Sequence, residues 1–139
     1  MSRLSPRKES QYRQELDELL SIARDHGITV RFVGTDILRD YVGMNWMAAK
    51  EMGWLLPDGS SIPDDTIYIL KSDPIAVHLH TLRHELNESY KMGIIGWQYG
   101  PAHIDSLDKE TMPNDVFAKE LCREDVVWKR DNASSAWER

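Results

Sequence analysis

Val77-His78-Leu79-His80-Thr81-Leu82-Arg83-His84-Glu85-Leu86-Asn87-Glu88 is the stretch on which the reading of this chain turns. It lies inside Ile75–Met92, a run without glycine or proline, and Gly93 follows where a helix stop belongs. Asp73-Pro74 ahead of it reads as an N-cap followed by a proline at the first helical position. The spacing predicts one helix of about 19 residues. On a wheel at about 100° per residue, with His80 at zero, Leu82, Ile75, Leu86, Leu79 and Tyr90 fall between about 200° and 280°. That stripe is the expected core face. His84 and Glu88 fall at about 40° and 80°, with Val77 and Thr81 beside them, and Glu85 flanks them at about 140°.

Residues at i and i+4 of a helix stand roughly 5–6 Å apart at Cβ, which suits two ligands on one metal ion. His84-Glu85-Leu86-Asn87-Glu88 is a variant of His-Glu-x-x-His. In that signature the outer residues bind zinc and the Glu after the first His acts as general base. A catalytic zinc site needs a third protein ligand and an open position for water. His103 is the best candidate, 15 residues past Glu88, on the first turn of a helix opened by Gly100-Pro101. Tyr99 offers a phenolic donor to a tetrahedral oxyanion, or else packs as a loop aromatic on Trp97. The competing reading of the motif is a solvated helix face with Glu88 paired to Lys91.

Other histidines and charges near the motif have plainer readings. His80 and His84 are also spaced i, i+4, and His80 suits a group that orients a ligand. His78 reads as a surface histidine. Arg83 borders the core stripe and is expected to pair with Glu15 or Asp17. Asp105 and Asp108 suit partners that orient a ligand, or else, the reading preferred, charges favoured near a helix N-terminus.

Outward from the motif, Thr66-Ile67-Tyr68-Ile69-Leu70 is a run of β-formers between Asp64-Asp65 and Ser72-Asp73-Pro74, a strand. Glu9–His26 repeats apolar residues at three and four and stops at Gly27, a helix. Ile28–Val33 alternates, a half-buried strand. Thr35–Gly53 is ambiguous: Thr35 suits a short helix cap, and Met44–Met52 holds helix formers. Yet Tyr41-Val42-Gly43-Met44 reads equally as strand. Pro57-Asp58-Gly59-Ser60 is turn chemistry. Ile94–Tyr99 reads as a loop, Pro101–Glu110 as a helix, and Thr111-Met112-Pro113 restarts a last helix through Cys122, a buried core position. Residues 1–8 and 131–139 are expected to be loose. The class is α+β, a small sheet packed on the central motif-bearing helix, in a single domain over 1–139.

The chain has 139 residues, 17 Lys+Arg, 23 Asp+Glu and a formal net charge of −6. The length fits one domain. The acidic balance argues against a partner bound by phosphate neutralisation, so no nucleic acid is expected. No apolar run approaches the ~20 residues of a membrane span, and the N-terminus lacks the apolar segment of a secretory signal. One cysteine allows neither an internal disulfide nor a multi-cysteine zinc site, and it suits a reducing, cytoplasmic setting. Any metal must lean on His and carboxylates.

The strand Thr66–Leu70, the helix bearing Arg83-His84-Glu85 and Glu88, Gly93, and Tyr99 with Ala102-His103 together resemble a minimal zincin metallopeptidase. The nearest likeness is to the short phage- and plasmid-associated kind related to the ImmA/IrrE group. The likeness covers about Thr66–Glu110. It implies His84, Glu88 and His103 as ligands of Zn²⁺ and Glu85 as base. It also implies an edge role for Thr66–Leu70, against which a peptide or protein substrate pairs. Glu88 departs from the usual second His. A carboxylate there hardens the site, and Mn²⁺ or Fe²⁺ become alternatives to zinc. The alternative function is a non-catalytic binding protein, or a virion or mobile-element component, with a structural or vestigial metal site. Trp97, Tyr99 and Trp137 would serve it as anchors.

Overall fold

The computed structural model describes residues 5–122, the side chain of Cys122 excepted. The expectations for residues 1–4 and 131–139, for Trp137 and for burial of Cys122 lie outside the described residues. Helix α1 spans Pro6–Asp25. It starts earlier than Glu9 because Ser5-Pro6 is itself a start signal: Ser5 Oγ accepts from the Lys8 amide, and Pro6 opens the first turn. Residues 5–8 therefore belong to the helix start. Gly27, at φ 74°, turns the chain out of the helix. Leu19 and Ala23 are buried, with Tyr12, Leu16 and Leu20 packed against the core.

Strand β1 (Thr29–Val33) and strand β3 (Thr66–Leu70) pair in parallel, from Thr29↔Thr66 to Val33↔Leu70. Between them the ambiguous stretch resolves into three short pieces: α2 (Thr35–Leu38), β2 (Gly43–Asn45) and α3 (Trp46–Met52). The helix and strand readings of that stretch each hold for part of it, but Gly34, not Thr35, is the N-cap of α2 and Thr35 is its first helical residue. Strand β2 is only three residues long, too short to show a period. The sheet order is β1-β3-β2, with β2 antiparallel to β3. Strand β3 is thus central, which corrects the expected edge role of Thr66–Leu70. Its composition explains this: five consecutive β-formers without alternation suit a strand covered on both faces, and Thr66, Ile67, Tyr68 and Ile69 are all buried.

Helix α4 runs Ile75–Tyr90. Pro74, not Asp73, occupies the N-cap, and Asp73 makes no cap bond. Its seam of Leu79, Leu82 and Leu86 is buried as the wheel predicts. The expected stop at Gly93 does not occur. The chain widens into a π-helical turn, Lys91–Ile95, and leaves it at Gly96, φ 89°. The wider turn places both Met92 and Ile95 in buried positions. Gly93 lies against the Met47 side chain within this turn. Helices α5 (Tyr99–Lys109) and α6 (Asn114–Cys122) follow. The architecture is α+β. Helix α4 is its hub, touching α1, α5, α6 and the sheet.

Strand β2 meets α4 closely. A Cβ on Gly43 would stand 2.5 Å from Thr81 Cγ2 and 3.2 Å from Glu85 Cγ. Glycine is what lets the strand cross the helix at the motif. The Leu70 amide donates to the Val42 carbonyl, so Val42 faces Leu70 as a hydrogen-bonded pair. By the alternation of an antiparallel ladder, the amide and carbonyl of Gly43 then point away from β3, to the free edge of β2.

Candidate metal centre

The face of α4 opposite the leucine seam is not a solvated one. His84, Glu85 and Glu88 are only 8%, 7% and 2% exposed. Helix α5 lies across this face and brings His103 to it from 15 residues away. His84 Nε2 is 3.0 Å from Glu88 Oε2 and 3.1 Å from His103 Nδ1, and His103 Nδ1 is 2.8 Å from Glu88 Oε2. The three predicted ligands therefore form one triangle of donor atoms.

Burial works against charge on Glu88, but its hydrogen bonds and attraction to His84 and His103 outweigh it, and its carboxyl is held below the usual range. With Glu88 ionised, both imidazole N–H groups can donate to the single oxygen Oε2, which brings two donors within 3.1 Å of each other. Each imidazole nitrogen offers one in-plane site, an N–H or a lone pair. If either gives up its proton, a lone pair faces the carboxylate. A cation makes all three atoms lone-pair donors aimed at one point. Tetrahedral ligands at 2.0–2.1 Å stand about 3.3 Å apart, a few tenths of an ångström beyond these edges. The group His84, Glu88 and His103 can hold a metal ion.

Two residues that the sequence did not single out complete the surroundings. Glu110, just past α5, lies with Oε2 3.0 Å from His84 Nδ1. A carboxylate there accepts a hydrogen bond from Nδ1–H and leaves Nε2 to face the cluster. Asn45 is fully buried at the junction of β2 and α3. Its Oδ1 accepts from the Ala48 amide, capping α3, and its Nδ2 donates to Glu85 Oε1 and Glu88 Oε1, 3.0 Å each. Sequence carried a partial signal for Asn45, an N-cap residue before Trp46-Met47-Ala48-Ala49. It carried none for Glu110.

The motif's two carboxylates are driven apart. Burial and the nearby charge of Glu88 push Glu85 up to about 8, against His84 and Asn45. Two neighbouring carboxylates set to different ionisation suit an acid–base role and a ligand role. Burial also opposes charge on His84, but Glu88, Glu85 and Glu110 reverse this and raise it to about 9.

Tyr99 opens α5. Its ring stacks on His103 at 5.3 Å between centroids, and its hydroxyl is 3.3 Å from His103 Nδ1. It is directed at the cluster and not at Trp97, which packs on Ile95 instead. Burial and the charges of Glu88 and Glu85 raise its phenol, keeping it a hydrogen-bond donor. A cleft of about 500 Å³ opens over His84, Glu85, Glu88, Tyr99 and His103. Exposed Tyr41, Val42 and Val77 form part of its apolar wall.

The remaining expectations divide. Glu88 does not pair with Lys91, whose ammonium lies 4.0 Å from Asp105 Oδ2 and faces the Trp97 ring. Asp105 is more than a helix-end charge, since it accepts from Asn87 Nδ2 at 2.9 Å. His80 stays exposed on the cleft wall, outside the triangle. His78 is half-buried: Nε2 donates to the Leu70 carbonyl, and the ring tilts on Phe32. Arg83 is buried and structural as expected; it feels the charge of Glu15, but its hydrogen bonds go elsewhere. It donates to Asn114 Oδ1 and the Glu110 carbonyl, and Asn114 in turn donates to the Glu15 carbonyl.

No helix among the described residues is long and apolar enough to cross a membrane. No known protein family, curated protein or solved structure matches the chain.

Proposed function

We propose that this protein is a metal-dependent hydrolase, a zinc peptidase whose ion is held by His84, Glu88 and His103. The observation that carries the reading is the triangle of His84 Nε2, Glu88 Oε2 and His103 Nδ1, with edges of 2.8–3.1 Å, at the floor of an open cleft beside Glu85. Zinc, when bound, supplies Lewis-acid polarisation of a carbonyl and a water of lowered pKa. Two His and one Glu is a known catalytic zinc donor set.

The chain's own groups divide the rest of the work. Glu85 takes the proton of the attacking water and passes it to the leaving amine. Tyr99, kept protonated, donates to the oxygen on which negative charge develops. The free edge of β2 at Gly43 pairs with an extended peptide. That role passes to β2 from β3, which is covered on both sides.

The test is Glu85→Gln, assayed on a mixture of unstructured peptides by mass spectrometry. The wild type cleaves, and the variant keeps its metal and loses cleavage. A zinc-loaded wild type that cleaves nothing, or a variant that cleaves at the wild-type rate, contradicts the assignment.

A further inference from the structure

Asn45 is the one described side chain that donates to both carboxylates of the motif. Its orientation leaves no freedom. The Ala48 amide requires an acceptor, so Oδ1 must be the end that faces α3. Nδ2 then faces α4, and its two N–H groups are both used, one on Glu85 Oε1 and one on Glu88 Oε1. The donor is anchored on a different element from the acceptors. Asn45 stands opposite Ile67 of the central strand, its backbone N–H turned to Glu85, and caps a helix with its side chain. It is fully buried, so water does not compete for these bonds.

The two oxygens of Glu88 are therefore divided. Oε2 belongs to the triangle with His84 and His103. Oε1 is taken by Asn45. We infer that Asn45 is a positioning residue that makes Glu88 a one-oxygen ligand and fixes Glu85 beside the open coordination position. The inference rests on the metal centre proposed above. One oxygen from Glu88 and one nitrogen from each histidine make three protein donors, which leaves a fourth position for water, as hydrolytic zinc sites need. Without the Asn45 amide, Oε1 is free to turn onto the ion as a second donor. Glu85 loses the Asn45 amide at the same time and keeps, among the described residues, only the hydrogen bond from the Asn45 backbone.

Asn45→Asp is the informative change. Aspartate is a good N-cap, so the α3 cap survives, while the amide donor becomes an acceptor. Asn45→Ser is the second variant, because serine also caps but is too short to reach both carboxylates. Each full-length protein is loaded with Co²⁺ as a spectroscopic probe and titrated against a chelator.

For the wild type we expect one Co²⁺ with the intense visible bands of four-coordination. For both variants we expect weaker bands of higher coordination and a metal affinity about 10–100-fold lower, with the circular dichroism of the wild type. In hydrolysis, kcat falls and KM holds. Variants with the wild-type spectrum and affinity overturn the role of Asn45 while leaving the metal centre standing. If both variants fail to fold, Asn45 is a structural residue and the positioning role is likewise overturned. A wild type that takes up no Co²⁺ overturns the metal centre itself, and this inference with it.

Discussion

His84 Nδ1 lies 3.0 Å from Glu110 Oε2, so the carboxylate just past the end of α5 sets the tautomer of a ring on α4. Nδ1–H donates to Glu110, and Nε2 is left to meet Glu88 and His103. Glu110→Gln removes the charge that holds this arrangement. Its expected effect is a metal affinity lower by about 10–100-fold with the fold intact. Chelator competition followed by far-ultraviolet circular dichroism measures both. Unchanged affinity would separate Glu110 from the site.

Gly43 is fixed by contact, not by backbone conformation. A methyl group there meets Thr81 Cγ2 at 2.5 Å and the Glu85 side chain at 3.2 Å. Gly43→Ala should destabilise the protein by about 1–3 kcal/mol, the range for overpacking. Gly100 in α5 is the matched control, since a Cβ there meets nothing within 4 Å. Gly100→Ala should be neutral or stabilising by up to about 1 kcal/mol. Denaturant melts of the two variants decide it, and equal effects would contradict the packing argument.

Arg83 ties α4 to the chain that carries Glu110. It donates to the half-buried Glu110 carbonyl and to the buried Asn114 Oδ1. Arg83→Leu leaves these acceptors without donors and should cost about 2–3 kcal/mol. It should also loosen Glu110, so metal affinity falls with stability. A variant with wild-type urea midpoint would show that Arg83 is not the tie.

The legibility of this chain follows from where periodic signals exist. The leucine seam of α4 repeats over enough residues to be read, the strand Thr66–Leu70 is marked by its run of β-formers, and both stand where expected. The helix wheel separated His84 and Glu88 from the seam, but it could not tell that α5 covers them. Burial of that face comes from a partner helix, which no local pattern records. What points to His103 is the need of a metal site for a third ligand, a chemical requirement and not a periodic one. Glu110 has no such requirement pointing to it. In β3 the absence of alternation was itself the sign of a central strand, and the family likeness pointed the other way.

The same site makes stability and metal affinity run oppositely with pH. In protein stripped by a chelator, Glu85 stands at about 8 and His84 at about 9, both above their ordinary values. The folded protein then holds more protons than the unfolded chain from about pH 4.5 to about pH 9. The stabilisation tied to His84 is complete below its ordinary pKa near 6.5 and is lost as pH rises through about 9. Glu85 acts in the same direction across about 4.5 to 8. Metal binding must expel these protons, so affinity rises over the same window. Melting temperatures with zinc and with chelator should diverge from pH 6 to pH 9. A gap that narrows toward pH 9 would contradict the assignment.

The central claim is that His84, Glu88 and His103 hold one ion, and elemental mass spectrometry of the purified protein tests it most directly. The expected result is one zinc per chain in the wild type, lost in His84→Ala and in His103→Ala and retained in His80→Ala. A wild type that carries no metal after exposure to zinc, or one whose zinc survives both ligand substitutions, would contradict it.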